Sequence, residues 1–175
     1  MTLLFECEEA IPLITPAAAV TVCKIIEKHF GVHPKIKWVN DIFLDGKKIC
    51  GILSECFKSN GKTFIALGIG INLTTSNFPD NLPNAGSLGL DCEKDKLAVY
   101  ISEAILQYVR NPAEPLILSE YEKRLFIIGK NISFFENNIK YTAVVNGINS
   151  QCNLIVSLPD NTEKILSSGE ISIIL

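Results

Sequence analysis

The change of hydrophobic period at Pro34 is the feature that most constrains the fold of this chain. Before it, small and apolar residues follow helical spacing from about 16 to 29, after a Thr15-Pro16 pair typical of a helix start. Gly31 supplies a left-handed stop. After Pro34 the period is two, which predicts strands at about 35–39, 41–44, 47–57 and 63–73.

Turn residues separate these strands. Asp45-Gly46 and the Ser59-Asn60-Gly61-Lys62 stretch predict hairpin turns, because glycine tolerates the positive φ that a tight turn requires. The stretch from Thr74 to Asp91 has no sustained period and predicts a long functional loop. Helical spacing returns in two later segments, at 93–109 and about 115–126.

Gly129 marks a predicted domain boundary. Beyond it only short strand patterns occur, near 131–135, 139–146, 152–158, 163–167 and 171–174. Five such strands indicate a small barrel. We expect this barrel to pack against the first domain, because it is too small to be stable alone. We assign residues 1–127 to the first domain, residues 128–175 to the second, and the chain to the α+β class.

Composition argues against several functions. The chain has 16 Lys and Arg against 19 Asp and Glu, a net charge of -3, so no overall positive field exists to bind nucleic acid or an anionic membrane. No apolar run reaches membrane-spanning length, and the first five residues predict a buried strand without a signal-peptide pattern. The six cysteines contain no C-x-x-C pair, which indicates reduced thiols and a cytoplasmic protein. His29 and His33 are predicted to be surface residues rather than metal ligands.

The densest group of candidate functional residues lies between Lys37 and Leu53. Strand alternation places Lys48 and Cys50 on one face and Gly51 on the other, and the hairpin folds Asp41 back beside Lys48. A lysine held by a carboxylate can neutralise a phosphate or carboxylate anion. Each residue alone has a simpler interpretation, since lysines near hairpins are usually solvated and aspartates often form turns.

A second group surrounds two glycines of the last long strand. Gly68 and Gly70 alternate, which leaves one face of the strand without side chains, so that a flat ligand could lie against it. Asn72 follows with an amide that can both donate and accept, as recognition of an adenine edge requires. Glycines that merely permit close packing are the simpler interpretation.

Three motifs, in order, resemble signatures of biotin protein ligases. Lys37-Trp38-Val39-Asn40-Asp41 resembles K-W-P-N-D, the K-K-I-C-G-I-L-S-E stretch from Lys47 to Glu55 resembles R-K-x-x-G-I-L-x-E, and the G-I-G-I-N stretch from Gly68 to Asn72 resembles G-x-G-x-N. The segment 85–88 is similar to A-T-S-L of that family, and 168–172 to G-G-E-I-S. Lipoate ligases share the fold, but the pairing of K-W-x-N-D with G-I-L argues against them.

The resemblance implies a class II synthetase-like mixed sheet with helices, followed by a small SH3-like barrel. It implies that biotin and Mg-ATP form biotinyl-AMP and pyrophosphate, and that a lysine of a biotin carboxyl carrier domain then accepts biotin. Mg²⁺ would be a counter-ion of ATP, with no dedicated protein site.

The resemblance also assigns roles to residues. Lys48 and Asp41 are the implied catalytic residues, Lys48 contacting the biotin carboxylate and the α-phosphate. Asn72 would read adenine and Lys37 would make a further phosphate contact. The implied set that binds biotin or adenylate is Lys37, Trp38, Asn40, Gly51, Ile52, Leu53, Gly68, Gly70 and Asn72.

The chain departs from the family pattern in several places. Val39 replaces the usual proline, Cys50 the usual alanine, and Ile174 stands where some members have a basic residue. The G-R-G-R-x-x-x-x-W segment is not found, so we expect the chain to begin inside the catalytic domain, without a DNA-binding extension. The alternative to a ligase is a non-catalytic paralogue that binds biotin, an adenylate or a carrier domain. Exposed sheet edges would allow a homodimer by strand pairing.

Overall fold

The computed structural model describes residues 1–7, 11 and 13–174. The first part contains a sheet and three helices: β1 (Thr2–Cys7), α1 (Ile14–Phe30), β2 (Lys35–Lys37), β3 (Asp41–Leu44), β4 (Lys47–Ser59), β5 (Lys62–Ile71), α2 (Lys94–Arg110) and α3 (Glu114–Arg124). A second sheet follows: β6 (Asn131–Glu136), β7 (Ile139–Ile148), β8 (Leu154–Ser157), β9 (Glu163–Leu166) and β10 (Ile171–Ile173). Each helix and strand predicted from spacing is confirmed within a few residues.

The two sheets have five strands each, ordered β1-β5-β4-β3-β2 and β10-β6-β7-β8-β9. Every strand pairing among the described residues is antiparallel, which confirms the α+β class. The parallel contacts in the described part of the chain are two single bridges, Ile36 with Leu125 and Lys48 with Ala85. The domain boundary at 127/128 stays a prediction, as does the homodimer.

Both predicted hairpin turns are confirmed by their backbone angles. Asp45 and Gly46 have φ of 48° and 77°, and Asn60 and Gly61 have φ of 49° and 76°. Such paired positive φ values match the twist of the flanking strands. The turns therefore set the register of β3 with β4 and of β4 with β5.

The start of α1 differs from the prediction. The helix begins at Ile14, and Leu13 caps it with a left-handed φ of 55°. The amide of Ala17 donates to the carbonyl of Leu13 at 2.8 Å, which closes the first turn. Pro16 lies inside that turn and is tolerated because its missing N–H would have had no helical partner. The predicted stop at Gly31 is confirmed by its φ of 69°.

The predicted strand at the start of the chain forms, but it is not buried. β1 is an edge strand that pairs with β5, and its residues alternate between exposed and partly buried. Leu4 is 63% exposed. The apolar composition of residues 1–5 predicts a buried strand, but only one face of β1 is covered by other residues.

The core lies on one face of the first sheet. α1 packs against β3 and β4, and α2 and α3 pack against α1. The side chains buried there include Ile26, Ile36, Ile42, Ile65 and Leu67. None of the described helices has the length and apolar character needed to cross a membrane. The opposite face of the sheet is left to carry the clefts described below.

Candidate functional site

Strand register assembles one row of candidate residues across four strands. Lys37 of β2 pairs with Asp41 of β3, Asp41 pairs with Gly51 of β4, and Gly51 pairs with Gly70 of β5. Directly paired residues point to the same face of a sheet. The two motif groups predicted separately from the sequence are thus parts of one surface.

A β-bulge adds Lys48 to this row. The register between β3 and β4 shifts between Ile42 and Phe43, so that Phe43 pairs with Lys48 and Ile42 with Cys50. A bulge inserts one residue and resets the alternation of side chains. Lys48 therefore lies over Gly51, where a Cβ would be 3.5 Å from the Lys48 Cε, while Ile49 and Cys50 are both buried. The predicted separation of Lys48 from Gly51 onto opposite faces is wrong for this reason.

Lys48 and Asp41 form an ion pair at the centre of the surface. The Lys48 Nζ lies 2.6 Å from the Asp41 Oδ1, and the two side chains are 43% and 21% exposed. The carboxylate restrains the ammonium while leaving it open to solvent. A fixed cation of this kind can neutralise an incoming anion without having to be reorganised.

Two clefts meet at this ion pair. The smaller cleft, about 440 Å³, is lined by ten residues: Met1, Asn40, Asp41, Lys48, Gly51, Ile52, Leu53, Gly68, Ile69 and Gly70. The larger cleft, about 630 Å³, shares Asp41, Lys48, Gly51 and Gly70 with it and extends past Lys37 and Asn72 to residues 78–85 and Glu170. Eight of the nine predicted binding residues therefore line at least one of the two clefts.

The glycines keep the floor of the clefts flat. A Cβ on Gly68 would meet the Leu53 carbonyl oxygen at 3.7 Å, and one on Gly70 would meet the Gly51 carbonyl oxygen at 3.9 Å. These are ordinary van der Waals distances, so packing alone does not require glycine at either position. A side chain there would instead occupy the cleft.

Two asparagine amides help to shape the clefts. Asn40 donates through Nδ2 to the Ile52 carbonyl at 2.6 Å, which ties the end of the K-W-x-N-D segment to β4. Asn72 donates through Nδ2 to the Gly86 carbonyl at 2.9 Å. One of the two N–H groups of the Asn72 amide is thus used by the protein, and the amide oxygen can accept a hydrogen bond from a ligand.

The long loop predicted at Thr74–Asp91 is confirmed as irregular, and it forms a wall of the larger cleft. Backbone hydrogen bonds join it to β4, from the Lys48 amide to the Asn84 carbonyl at 2.7 Å and from the Gly86 amide to the Lys48 carbonyl at 2.9 Å. Its lining side chains, which include Phe78 and Asn84, were not among the predicted site residues. The similarity of residues 85–88 to the family's A-T-S-L segment was the sequence feature that could have indicated a role for this loop in the site.

Trp38 lies away from both clefts. Its side chain is 4% exposed, and its indole Nε1 donates to the Cys152 carbonyl at 2.8 Å. The peptide bond between Trp38 and Val39 is cis. The predicted strand 35–39 ends at Lys37 because Trp38 turns into the core. A direct contact of Trp38 with biotin or adenylate is therefore not supported by this geometry.

In the described part of the chain, neither a reactive Cys50 thiol nor a metal-binding cluster accompanies the ion pair. All six cysteines are free, and burial raises the pKa of the Cys50 thiol to about 12. Cys50 is therefore a neutral packing residue at physiological pH. Within the described ranges, no three His, Cys, Asp or Glu side chains are grouped so that they could hold a metal ion.

Comparisons with known proteins identify the class. Residues 8–72 match the Biotin/lipoate A/B protein ligase family model, and residues 127–173 match the Biotin protein ligase C terminal domain model. The Bifunctional ligase/repressor BirA of Bacillus subtilis is 31% identical over 169 residues, which cover 90% of this chain and 52% of that protein. The chain thus spans about half the length of the curated relatives it matches.

Solved structures share the fold. The apo biotin protein ligase from Aquifex aeolicus superposes with a TM-score of 0.80 at 20% identity, covering 98% of this chain and 80% of that one. The same ligase in complex with biotin and ATP gives a TM-score of 0.76 at 20% identity and covers 98% and 77%. The family matches place the chain in the biotin/lipoate protein ligase class, and the solved structures share its fold. Within that class, the chain belongs to the biotin protein ligase family.

Proposed function

We propose that this chain joins biotin to ATP, forming biotinyl-AMP, and transfers biotin to a lysine of a biotin carboxyl carrier domain. The observation that carries the proposal is the Lys48–Asp41 ion pair at the junction of the two clefts. An adenylating enzyme must bring two anions together, the biotin carboxylate and the α-phosphate. A restrained cation that faces both clefts meets that requirement.

The linings of the clefts suggest which substrate each one takes. We assign the adenylate moiety to the larger cleft, where the Asn72 oxygen can accept from the adenine amino group. We assign biotin to the smaller cleft, which offers the flat Gly68 floor beside the exposed, apolar Leu53. The Aquifex aeolicus ligase that shares this fold has been solved with biotin and ATP, which supports a site for both.

In the first step, a biotin carboxylate oxygen attacks the α-phosphorus of ATP. The bond between the α-phosphorus and its bridging oxygen breaks, and pyrophosphate leaves with that oxygen. The Lys48 ammonium neutralises the carboxylate and the α-phosphate as they approach, while Asp41 holds it in place. Lys37, in the same row, contacts the leaving phosphates. ATP would carry Mg²⁺ as its counter-ion, because Mg²⁺ is usually bound through substrate phosphates rather than by a site made of protein ligands alone.

In the second step, the uncharged amine of a carrier lysine attacks the carbonyl carbon of biotinyl-AMP. The bond from that carbon to the phosphate oxygen breaks, AMP leaves, and the amine proton passes to solvent. Lys48 then stabilises the charge on the departing phosphate. The six free thiols are consistent with placing this reaction in the cytoplasm.

The test is the Lys48→Ala substitution in a pyrophosphate-release assay with biotin and ATP. We expect loss of adenylate formation by at least about a hundredfold, because one charge-stabilising group is typically worth that much. The fold should be unchanged, since the Lys48 side chain is 43% exposed. Lys62→Ala is the matched control, because Lys62 forms an exposed ion pair with Glu6 at 2.8 Å in the same sheet, outside both clefts.

Calorimetry separates the ligase from the non-catalytic paralogue. Biotin binding followed by pyrophosphate release on addition of ATP supports the ligase. Binding of biotin or of biotinyl-AMP without pyrophosphate release would support the paralogue instead. Near-normal adenylate formation by the Lys48→Ala variant would refute the role given to Lys48.

A further inference from the structure

The segment from Lys37 to Asp41 supplies the clefts with residues, and strand pairing holds its two ends but not the residues between them. Lys37, Asn40 and Asp41 line the clefts, whereas residues 38–40 form a turn between β2 and β3. Within this turn the Asn40 carbonyl accepts from the Ile52 amide at 3.0 Å, whereas Trp38 and Val39 need other contacts to keep one conformation. Those contacts come from parts of the chain far away in sequence.

The first contact comes from the second sheet. The indole Nε1 of Trp38 donates to the carbonyl of Cys152 at 2.8 Å across 114 residues, and the bond is buried. Cys152 lies in the turn between β7 and β8, with a left-handed φ of 60°. The turn between β7 and β8 in the second sheet thus holds the side chain of Trp38, the residue that follows Lys37.

The second contact comes from α3. The hydroxyl of Tyr121 donates to the Val39 carbonyl at 2.9 Å, and Tyr121 is 0% exposed. Burial raises the pKa of Tyr121, so the hydroxyl keeps its proton and stays a donor. The same hydroxyl neighbours the Cys152 thiol. Trp38, Tyr121 and Cys152 are therefore buried together, with the partly buried Val39, at the meeting point of both sheets and α3.

The turn that carries the acceptor is itself well fixed. The Cys152 amide donates to the Asn149 carbonyl at 2.9 Å, and the Asn149 Oδ1 accepts from the amides of Gln151 and Asn153 at 3.0 and 2.9 Å. An asparagine that bonds its own following backbone in this way stabilises a turn. These hydrogen bonds hold the Cys152 carbonyl in one position, where it accepts from the Trp38 indole.

We propose that Trp38, Tyr121 and the Cys152 carbonyl form a positioning latch through which the second sheet and α3 set the placement of Lys37, Asn40 and Asp41. The effect on catalysis rests on the proposed ligase function. The latch acts through Asp41, which holds the Lys48 ammonium at 2.6 Å, and through Asn40, which is tied to Ile52. Neither Trp38 nor Tyr121 touches a substrate in this scheme, so both are positioning residues.

The chain provides its own reporter, because Trp38 is its single tryptophan. The ¹⁵N-labelled protein should show one indole N–H resonance, and hydrogen exchange at that proton should be at least about tenfold slower than in a solvent-exposed indole. The side-chain amide of Asn40 gives a second resonance inside the clefts. Both signals can be followed without any ligand.

The test variant is Tyr121→Phe, which removes only the hydroxyl that donates to Val39. We expect exchange of the backbone amides at 38–41 to accelerate about tenfold, because a tenfold change corresponds to about 1.4 kcal/mol, within the range for losing a buried hydrogen bond. The Asn40 side-chain amide resonance should shift. At saturating biotin and ATP, adenylate formation should slow by about tenfold.

The matched control is Tyr141→Phe, the same chemical change in β7, where the Tyr141 ring stacks on Phe134 at 5.5 Å. It should leave the exchange at 38–41, the Asn40 resonance and the rate of adenylate formation at wild-type values. If Tyr121→Phe does not fold, Trp38→Phe carries the same test, because it keeps an aromatic ring and removes the indole donor.

Two results would overturn the latch. One is a Trp38 indole proton that exchanges as fast as a free indole in the wild-type chain. The other is a Tyr121→Phe variant that matches Tyr141→Phe in amide exchange and in the Asn40 resonance. If the wild-type chain neither binds biotin nor releases pyrophosphate, the proposed function fails, while the exchange measurements still decide whether the latch exists.

Discussion

Charged residues serve two different purposes in this molecule, and their positions explain the difference. Lys48 and Asp41 face two clefts and are partly exposed, so their charges remain available to a ligand. Arg124, by contrast, is 12% exposed and bonds Glu27 of α1 at 2.8 Å and Glu120 of its own helix at 3.1 Å. That network has its donors and acceptors already paired, so it holds α3 against α1 rather than offering a charge to a ligand.

Glu120 makes the stability of the protein sensitive to acid. Hydrogen bonds from Lys123, Lys24 and Arg124 lower its pKa from 4.5 to about 2. A carboxyl group with a depressed pKa in the folded state stabilises the protein above its unfolded pKa and loses that effect as pH falls through the folded value. We therefore expect Glu120 to contribute fully above about pH 4.5 and to stop contributing near pH 2.

Urea unfolding at a series of pH values checks this expectation. Glu120→Gln should lower the free energy of unfolding at pH 7 by about 1 kcal/mol and flatten its dependence on pH between 4.5 and 2. Glu122→Gln, an exposed position on the same helix, is the control and should leave that dependence unchanged. Equal slopes for the Glu120→Gln variant and the wild type would contradict the assignment.

At the scale of elements, β4 is the strand on which the candidate site depends. It pairs with β3 on one side and β5 on the other, and its bulge brings Lys48 over Gly51. Its first residues also hold the loop of residues 74–91 through Lys48 and through Lys47, whose Nζ donates to the Pro83 carbonyl at 2.8 Å. One strand therefore positions the central cation and a wall of the larger cleft.

The close approach of that loop to β4 requires glycine at position 86. A Cβ on Gly86 would lie 2.5 Å from the Lys47 Cβ, which is closer than real side chains approach each other. We expect Gly86→Ala to push the loop from β4, to lower the free energy of unfolding by about 1–3 kcal/mol, and to weaken nucleotide binding more than biotin binding. Urea unfolding and calorimetry with each substrate measure these effects.

Ser87→Ala is the neighbouring control for Gly86→Ala, and it should leave stability and nucleotide affinity near wild type. Loss of biotin affinity equal to the loss of nucleotide affinity in Gly86→Ala would contradict the placement of the loop at the larger cleft alone.

At the scale of the whole molecule, the two sheets share one core. Buried residues of the second sheet, such as Ile132 and Leu154, belong to the same apolar cluster as Trp38 and Tyr121. The loop that joins α3 to β6 is pinned to the first sheet by the bridge between Ile36 and Leu125. These contacts agree with the expectation from the sequence that the small C-terminal barrel packs against the first domain.

Such a shared core predicts one cooperative unfolding transition. Fluorescence of Trp38 reports the contact between the two sheets, and far-ultraviolet circular dichroism reports the helices and strands of both. We expect the two signals to change at the same urea concentration. A fluorescence change that precedes the loss of circular dichroism would mean that the second sheet separates first.

The amino-acid sequence by itself determined the elements and their order. Helical and alternating periods depend on local backbone geometry, so spacing alone places α1, the strands from β2 to β5, and the five short strands after Gly129. Turn residues such as Gly46 and Gly61 set the hairpins because few other residues accept positive φ. The motif residues around Lys48 and Gly70 could also be selected from the sequence, because a lysine that can neutralise an anion and glycines that leave a strand face open are recognised by residue type alone.

Only the tertiary structure decided how those residues meet. The bulge at β4 changes the face of Lys48, and alternation read along one strand cannot reveal it, because a bulge exists only in relation to a partner strand. Leu4 is exposed and Trp38 is buried because of what covers each of them, β1 lying at an edge and Trp38 meeting Cys152 across 114 residues. Local spacing specifies elements, whereas burial and the shape of a cleft depend on contacts between residues distant in sequence.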